Sequence, residues 1–315
     1  MTPPFTLRQL EIFRSVLETG TISAAAQALH TAQSSVSAAI NELEKQVGQQ
    51  LLIRRKAQGT WPTTAGRQLY RDAVELLKMA EEAARHLEER DGKIRGLISI
   101  GIFATLAPYV VPLILTEFRS RHPLIKLEFH EEDHDELITK LHEGIYDVAL
   151  SYLEPKPPSE ELAQQEITTR ATHVLMSARH RLAQYEFVTL KDIEQEPLIL
   201  LGHTPSRDNT LRLLGLEIND PRIAWVTSSI PLTRALVGHG LGVSLLVQPD
   251  ASVKTADGIE LTQVPLHAEK STAYLGVIWR KPAHHRRPPR RITSLVQFCT
   301  EEIGSHIDAI GNDFA

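Results

Sequence analysis

Three helical patterns separated by short turns fill residues 7–48, which read LRQLEIFRSVLETGTISAAAQALHTAQSSVSAAINELEKQVG. The first pattern predicts a helix that ends at Gly20, a natural C-cap. Its apolar residues recur at helical spacing and predict one buried face: Leu7, Leu10, Phe13 and Leu17. The second pattern predicts a short helix from Ser23, its expected N-cap, to Leu29.

The third pattern predicts a helix over residues 33–47, with Thr31 as its N-cap. Two short helices joined by a tight turn, after a supporting helix, are typical of a helix-turn-helix, whose later helix lies in the major groove of DNA. Glutamine and asparagine pair with adenine, and hydroxyls suit bases or phosphates. We therefore expect DNA contacts from Ser23, Gln33, Ser34, Ser35, Ser37 and Asn41. The alternative is a small helical domain with no DNA-binding role.

A basic β-hairpin is predicted next, from the apolar run Leu51-Leu52-Ile53 followed by Arg54-Arg55-Lys56. Gln58-Gly59 supplies the turn and Thr60-Trp61-Pro62 the return strand. The three cations would contact phosphates, which position a protein on DNA without reading its sequence. A charge run is usually only solvated, but its place directly behind a helix-turn-helix favours the functional interpretation.

The charge distribution supports an anionic partner for this N-terminal head alone. Residues 1–66 hold six basic and four acidic side chains, whereas the whole chain has a net charge of -5. The head is therefore mildly basic and the rest of the chain acidic.

The single cysteine, Cys299, excludes an internal disulfide. With no apolar run of about 20 residues and no signal-peptide pattern, we expect a cytoplasmic protein with no membrane association.

A long helix is predicted from residue 65 to about residue 90, where no proline interrupts the pattern. Its apolar residues form a heptad seam: Leu69, Ala73, Leu76, Ala80, Ala83 and Leu87. A heptad seam is typical of a coiled coil, and a helix-turn-helix is usually doubled to read a two-fold operator. We therefore expect dimerisation here. The alternative is one amphipathic helix packed on its own body.

The rest of the chain alternates strands with helices, which predicts a largely parallel α/β sheet. Strands are expected at residues 97–102, 125–129, 146–151, 172–177, 197–201, 224–227, 243–247 and 273–279. Ligands of open α/β sheets lie beyond the carboxyl ends of strands, often at helix N-termini. Candidate effector-binding residues at such places are Phe103, Ala104, Thr105, Tyr152, Thr204, Ser206, Thr227, Ser228 and Ser229. Hydroxyls with free amides favour a small anion, although each could be an ordinary helix cap.

Catalytic patterns are absent from the sequence. It holds no Walker phosphate loop and no Gly-x-Ser-x-Gly elbow. The acidic run at residues 131–136 fits no metal-ligand spacing, so we interpret it as a solvated loop. The basic run at residues 284–291 is interpreted as an exposed loop. We therefore expect no enzymatic activity, no cofactor and no metal site.

The head resembles LysR-type transcriptional regulators over its whole length. The matching residues include Leu7-Arg8-Gln9-Leu10-Glu11-Ile12-Phe13, Ala25-Ala26, Leu29-His30, Gln33, Val36-Ser37, Ile40, Leu43-Glu44, Gly48, Leu51-Leu52, Arg54, Thr63 and Ala65-Gly66. Gly144–Leu150 and Leu236–Val243 resemble the effector domain of the same family. The chain departs from the family at Ser34, usually proline, at Ala32, usually a serine cap, and at Ala24 and Ala38, often arginines. Losing two cations would weaken phosphate binding.

The resemblance implies an α/β protein with an all-α winged helix-turn-helix head and a two-lobed, periplasmic-binding-protein-like sensor domain. The implied domains are residues 1–65 for DNA binding, 66–91 for the linker helix and 92–315 for effector binding. Lobe I would hold about 93–161 and 266–300, and lobe II about 162–265. The implied partners are double-stranded DNA, a small-molecule effector, further copies of the same chain in a homodimer or homotetramer, and RNA polymerase.

Two alternatives stay open at this stage. One is a solute-binding or enzymatic α/β body that carries a helical extension, which the missing secretion signal and the missing catalytic residues disfavour. The other is a regulator whose cleft binds no ligand.

Overall fold

The computed structural model describes residues 4–55, 59–88, 93–247, 254–282 and 288–312. The chain divides into two compact units. One, the head unit, comprises residues 1–93 and 142–145, and the other, the body unit, comprises residues 94–141 and 146–315.

The head unit contains three short helices, a two-stranded hairpin and one long helix. Their bounds are α1 Leu7–Thr19, α2 Ile22–Ala28, α3 Gln33–Val47, β1 Leu52–Arg55, β2 Gly59–Pro62 and α4 Thr64–Glu88. Strands β1 and β2 are antiparallel, with Ile53 opposite Trp61. The expected helix-turn-helix and wing are therefore present, while the expected turn residue Gln58 lies outside the described residues.

The core of the head differs in detail from the predicted one. Leu7 is 49% exposed, whereas Ile12 and Val16 are buried beside Phe13. The N-cap of α1 is Thr6, whose side chain accepts a hydrogen bond from the Gln9 amide.

Two predicted helix caps are wrong. Thr21 rather than Ser23 caps α2, because its hydroxyl accepts a hydrogen bond from the Ala24 amide at 3.1 Å. Thr31 does not cap α3: the N-cap position is occupied by Ala32, whose side chain offers no hydrogen bond. Ser23 therefore lies inside the first turn of α2, where its hydroxyl is available for other contacts.

The first part of α4 packs against α1 within the same head. Ala73 and Leu77 are buried in a cluster with Leu10, and Leu69 packs against this cluster. Two residues of the expected heptad seam thus contact their own chain, as the alternative interpretation held. Further along α4, Leu76 and Met79 are 38% and 37% exposed.

The body unit begins with a five-stranded sheet in the order β4-β3-β5-β13-β6. Its strands are β3 Gly96–Phe103, β4 Ile125–Glu132, β5 Val148–Tyr152, β6 Leu162–Ala171 and β13 Thr272–Arg280. The helices of this part are α5 Ala107–Leu113, α6 Arg119–Arg121, α7 His134–His142, α10 Arg290–Phe298 and α11 Gly304–Asn312, with π-helical turns at Ile114–Phe118 and Cys299–Ile303. We call this sheet and its helices lobe I.

A second group of strands forms lobe II. One sheet has the order β11-β7-β12-β8 and the other pairs β10 with β9. The elements are β7 His173–Ser177, β8 Val188–Thr189, β9 Leu198–Leu201, α8 Ser206–Leu214, β10 Ile223–Thr227, α9 Ile230–Gly238, β11 Ser244–Leu246 and β12 Leu261–His267. A bridge between Leu198 and Val243 joins the two sheets.

The sheets are mixed rather than largely parallel. Strand β3 runs parallel to β4 and β5, but β13 is antiparallel to both β5 and β6. Strand β7 is likewise antiparallel to β11 and β12. Because β6 pairs with β13, residues 162–171 lie in the five-stranded sheet that also contains β3, β4 and β5.

The basic run before the last part of the chain is not wholly an exposed loop. Residues 283–287 lie outside the described residues, but Arg291 is 7% exposed. Its Nε donates a hydrogen bond to the Leu97 carbonyl at 3.1 Å. Arg291 therefore fixes the start of α10 against β3.

Candidate functional site

The outer face of α3 presents polar side chains because the inner face carries the apolar ones. Val36, Ile40 and Leu43 are fully buried. The residues expected to read DNA lie on the other face: Gln33, Ser34, Ser35 and Asn41 are exposed, and Ser37 is half-buried. The periodicity of the helix thus separates the packing residues from those that a groove could reach.

Ser23 and Gln33 are brought together although they lie on different helices. The Gln33 Nε2 donates a hydrogen bond to the Ser23 Oγ at 2.8 Å. The bond spans the turn between α2 and α3, so it orients the first polar side chain of α3 before any ligand is present. Both residues were among those expected to contact DNA.

The wing is tied to α3 through Glu44. One oxygen of its carboxylate, Oε1, accepts hydrogen bonds from the Leu51 amide at 2.7 Å and the Leu52 amide at 3.0 Å. The backbone of Arg54 and Arg55 lies in β1, opposite Thr60 and Gly59. The third expected phosphate contact, Lys56, lies outside the described residues.

A cavity of about 770 Å³ lies in the body unit, where residues of both lobes meet. Its volume is within the range of small-molecule sites. It is lined by Ala104, Thr105, Pro108, Tyr109, Tyr152, Thr172, Leu201, His203, Ser206, Asn209, Thr210, Ser228, Ser229, Ile230, Pro231, Arg234, Leu245, Leu246, Val247 and Gln263. No carboxylate occurs among the described residues of this lining.

Most of the expected effector-binding residues meet at this cavity: Ala104, Thr105, Tyr152, Ser206, Ser228 and Ser229. Phe103, Thr204 and Thr227 are absent from the lining. Phe103 is fully buried and packs its ring edge-on against Tyr152, with ring centroids 5.7 Å apart. Thr204 instead donates a hydrogen bond to the Asp135 carboxylate at 3.3 Å.

Thr227 and Ser229 build the turn that leads into α9. The Ser229 amide donates to the Thr227 Oγ1 at 3.2 Å, and the Leu232 amide donates to the Ser229 Oγ at 3.3 Å. Ser229 is the N-cap of α9, and Pro231 lies in its first turn. The positive end of this helix dipole is therefore directed at the cavity, where it favours a negative charge.

Arg234 adds a full positive charge to the same wall, and the sequence interpretation missed it. It is 6% exposed, and its Nη2 donates to the Lys254 carbonyl at 3.0 Å. Arg234 lies one turn into α9, within an apolar pattern that predicts only a buried face. Burial and the nearby Arg234 lower the pKa of His173 to about 4, so His173 is neutral at physiological pH.

One hydroxyl in the cavity has no partner among the described residues. The Thr105 Oγ1 is buried and makes no hydrogen bond there. Because a buried hydroxyl without a partner costs free energy, a polar ligand atom or a water would satisfy it.

The acidic run at residues 131–136 begins within β4 and is not merely a solvated loop, contrary to expectation. The Glu132 carboxylate pairs with Lys140 and accepts a hydrogen bond from the Tyr146 hydroxyl at 2.9 Å. These contacts hold the pKa of Glu132 below its usual value, the Lys140 hydrogen bond being the largest cause. Asp133 forms an ion pair with His203.

Two family models match the chain over nearly its whole length. The helix-turn-helix model of bacterial regulatory proteins of the lysR family matches residues 7–67, and the LysR substrate binding domain matches residues 91–304.

The chain belongs to the LysR family.

It is therefore a LysR-type transcriptional regulator with an effector-binding domain, and the expected fold class, a winged helix-turn-helix with a two-lobed sensor, is confirmed.

Individual relatives agree with this assignment. The chain is 31% identical over 288 residues to the HTH-type transcriptional regulator YnfL of Escherichia coli, which covers 90% of this chain and 94% of YnfL. It is 34% identical to HinK, a LysR family transcriptional regulator from Pseudomonas aeruginosa, with a TM-score of 0.60 over 96% of this chain and 99% of HinK. These relatives are regulators, so the expectation that the chain is not an enzyme is confirmed.

A third relative is the probable hydrogen peroxide-inducible genes activator of Mycobacterium leprae, 29% identical over 301 residues, or 92% of this chain and 93% of that protein. In this LysR-type regulator the single cysteine, Cys299, is fully buried in lobe I. Burial raises the pKa of its thiol, which disfavours the reactive thiolate. Cys299 is therefore a packing residue rather than a peroxide-reactive one.

Within the described residues, no helix is both long and apolar enough to span a bilayer. In the same part of the chain, no three histidine, cysteine, aspartate or glutamate side chains are arranged to hold a metal ion.

Proposed function

We propose that this LysR-type regulator is a sequence-specific, ligand-responsive transcription factor. The α3 residues Gln33, Ser34, Ser35, Ser37 and Asn41, with Ser23, contact base edges or phosphates, and the wing residues Arg54, Arg55 and Lys56 contact phosphates. The exposed polar face of α3 and the basic composition of the head support this assignment. DNA binding in this form depends on salt, because the phosphate contacts release counterions.

We further propose that the effector is a small organic anion with an apolar part. The observation that carries this proposal is the cavity wall formed by the N-terminus of α9 and Arg234, with no carboxylate among the described lining residues. The cavity lining also contains apolar side chains, among them Leu201, Ile230 and Leu245. An anion would be held at α9 and its apolar part would pack against these residues.

A thermal-shift screen tests the effector class. Small carboxylates with and without an apolar part are compared with amines of the same shape, and a ligand that binds only the folded state raises the melting temperature. An apolar carboxylate should raise the melting temperature of the wild type and of the control variant Arg179→Met, in which the replaced arginine is exposed elsewhere on lobe II. This rise in melting temperature should be absent in Arg234→Met. Equal shifts for amines and carboxylates would contradict an anionic effector.

Selection of genomic DNA fragments by the purified protein tests the DNA-binding assignment. Footprinting of the selected fragments should show a two-fold interrupted repeat, and the double variant Arg54→Ala with Arg55→Ala should weaken all sites together with a shallower salt dependence. Sequence-blind binding at every fragment would contradict specific recognition.

The linker helix is proposed to pair two chains into a homodimer. Leu76 and Met79 leave apolar surface on α4 after its first part has packed on α1. Light scattering should give twice the mass of the 35.2 kDa chain, or four times if dimers pair into homotetramers. Contact with RNA polymerase and a cytoplasmic location are proposed with the same regulatory role.

The proposed domain organisation is residues 1–65 for DNA binding, 66–91 for the linker and 92–315 for effector binding. The sheet pairing moves the lobe boundaries: lobe II is proposed to run from about residue 172 to residue 267, and lobe I to hold the strands on either side. Binding in the cavity would change the relative arrangement of the lobes. It would shift DNA binding only if the effector has different affinities for the two arrangements.

A further inference from the structure

One histidine joins the two lobes at the edge of the cavity. His203 follows β9 of lobe II, and its Nδ1 forms an ion pair with the carboxylate of Asp133, which follows β4 of lobe I. Its other ring nitrogen, Nε2, lies 2.6 Å from the carbonyl oxygen of Ser228, in the turn before α9. His203 and Ser228 both line the cavity.

Both ring nitrogens of His203 face oxygen atoms. Nδ1 meets the Asp133 carboxylate across the lobes, and Nε2 meets the Ser228 carbonyl within lobe II. The histidine therefore links a carboxylate of lobe I to the turn before α9.

Packing holds the ring in place. Phe103 of lobe I contacts it edge-on, with ring centroids 6.3 Å apart and planes at 88°. The side chain of His203 is 19% exposed, against 48% for Asp133. The pair is therefore partly shielded from water on the histidine side, where screening is weaker than between fully exposed charges.

A second contact between the lobes lies beside the first. The Thr204 hydroxyl donates to the Asp135 carboxylate at 3.3 Å. The pKa of Arg207 is raised by its hydrogen bond to Asp208 and, further, by the charges of Asp135 and Asp133. Two carboxylates of lobe I thus face the His203 ring and the Arg207 guanidinium of lobe II.

We propose that the Asp133–His203 ion pair is a closing contact that holds the two lobes together over the cavity and so sets how readily the effector is retained. This inference rests on the proposed effector-binding role of the cavity. The coupling is local: Ser228, whose carbonyl accepts the bond from His203, directly precedes the N-cap of α9, where the anion is proposed to bind. A ligand at α9 and the ion pair therefore act on the same turn.

Spin-label distance measurements test the contact without any ligand. Exposed lysines on the two lobes, Lys126 on β4 and Lys191 after β8, are replaced by cysteines and labelled in the full-length chain. The buried Cys299 stays unlabelled. The interlobe distance should be narrowly distributed in the parent. In Asp133→Asn and in His203→Gln it should broaden towards longer values.

Two controls separate lobe opening from general loosening. His180→Gln breaks a comparable histidine–carboxylate pair, His180–Glu196 at 3.2 Å, that lies wholly within lobe II, and it should leave the interlobe distance unchanged. A label pair within lobe I, Lys126→Cys with Thr139→Cys, should not respond to Asp133→Asn or His203→Gln. An interlobe distribution that stays the same in both bridge variants would overturn the proposal.

Failure of this proposal and failure of the effector assignment are distinguishable. If the lobes open in the bridge variants but no compound raises the melting temperature in the thermal screen, the closing contact is supported and the effector assignment is rejected. If an apolar carboxylate does bind, losing the closing contact should weaken its affinity about threefold to tenfold, since the closed arrangement becomes less populated. Unchanged affinity in both bridge variants would contradict the coupling.

Discussion

Glu44 offers a sharp test of how the head is assembled, because one oxygen of its carboxylate accepts hydrogen bonds from two backbone amides at the start of the wing. Replacing Glu44 with alanine removes the acceptor and leaves the Leu51 and Leu52 amides partly buried without it. Each such amide costs roughly 1–3 kcal/mol when deprived of its partner. Because water reaches these part-buried groups, we expect a total loss of about 2–3 kcal/mol in the free energy of unfolding of the head.

Two further variants calibrate the result. Glu44→Gln retains a carbonyl acceptor but loses the charge, and charged hydrogen bonds are about twice as strong as neutral ones, so about half of the loss is expected. Glu42→Ala is the matched control on the same helix, since its carboxylate accepts only from Gln46 at 3.3 Å in the described structure. It should change stability by less than about 0.5 kcal/mol.

Hydrogen–deuterium exchange of the peptide that covers β1, with urea unfolding of the full chain, measures both effects. Exchange of this peptide should accelerate most in Glu44→Ala, less in Glu44→Gln and least in Glu42→Ala. Operator affinity should fall in the same order, because the wing is no longer fixed to α3. If Glu44→Ala behaved like Glu42→Ala, the carboxylate would not be what positions the wing.

Three other predictions follow from single positions. A Cβ at Gly66 would lie 2.0 Å from the Leu51 carbonyl oxygen, so Gly66→Ala should destabilise the head by about 1–3 kcal/mol and weaken operator binding; a wild-type melting curve would contradict this steric argument. His173 has a pKa of about 4 when folded and an ordinary value near 6.5 when unfolded, so the unfolded chain takes up a proton first as pH falls. The free energy of unfolding, measured with urea, should be highest above pH 6.5 and about 2 kcal/mol lower at pH 5. His173→Gln should remove this pH dependence. An unchanged pH dependence in His173→Gln would show that other groups cause it. Cys299 should resist a thiol reagent and hydrogen peroxide in the native chain and react only after unfolding; oxidation of the folded protein, seen as added mass, would show that the thiol is accessible.

The head could be predicted closely from the sequence because its helices are amphipathic and its turns are short. The errors there are local. Thr21 and Ser23 are both good capping residues two positions apart, and only the backbone geometry shows that Thr21 has the extended conformation of a cap. Leu7 fits the apolar spacing of α1, yet its position in the first turn leaves it exposed.

The body was harder to predict because its strands depend on distant partners. Strand β6 reads LAQQEITTRA, in which polar residues dominate and no regular apolar alternation is present. It forms because β13 pairs with it antiparallel from Leu162 to Ala171, with one irregularity between Leu275 and Gly276. Such pairing between residues more than 100 positions apart leaves little trace in the local pattern.

The cavity was predicted in part. Most of the hydroxyl-bearing residues that were expected near strand ends line the cavity, because the positions of strand ends follow from the alternation of strands and helices. Arg234 and His203 were missed because neither stands out in its segment. Arg234 lies in a mostly apolar helix, and His203 lies two residues after a buried strand. The role of His203 depends on Asp133, which lobe I places opposite it, and that of Arg234 depends on the cavity wall that it shares with the N-terminus of α9.

The chain passes from one lobe to the other at two places, and Thr172 fastens them to each other. Its amide and its hydroxyl both donate to the Ser271 carbonyl, at 2.9 and 2.6 Å, and its own carbonyl accepts from the Leu266 amide at 3.0 Å. Thr172 also lines the cavity. Thr172 therefore links the two crossover segments at the cavity wall, so a molecule that contacts Thr172 would touch both crossovers at once.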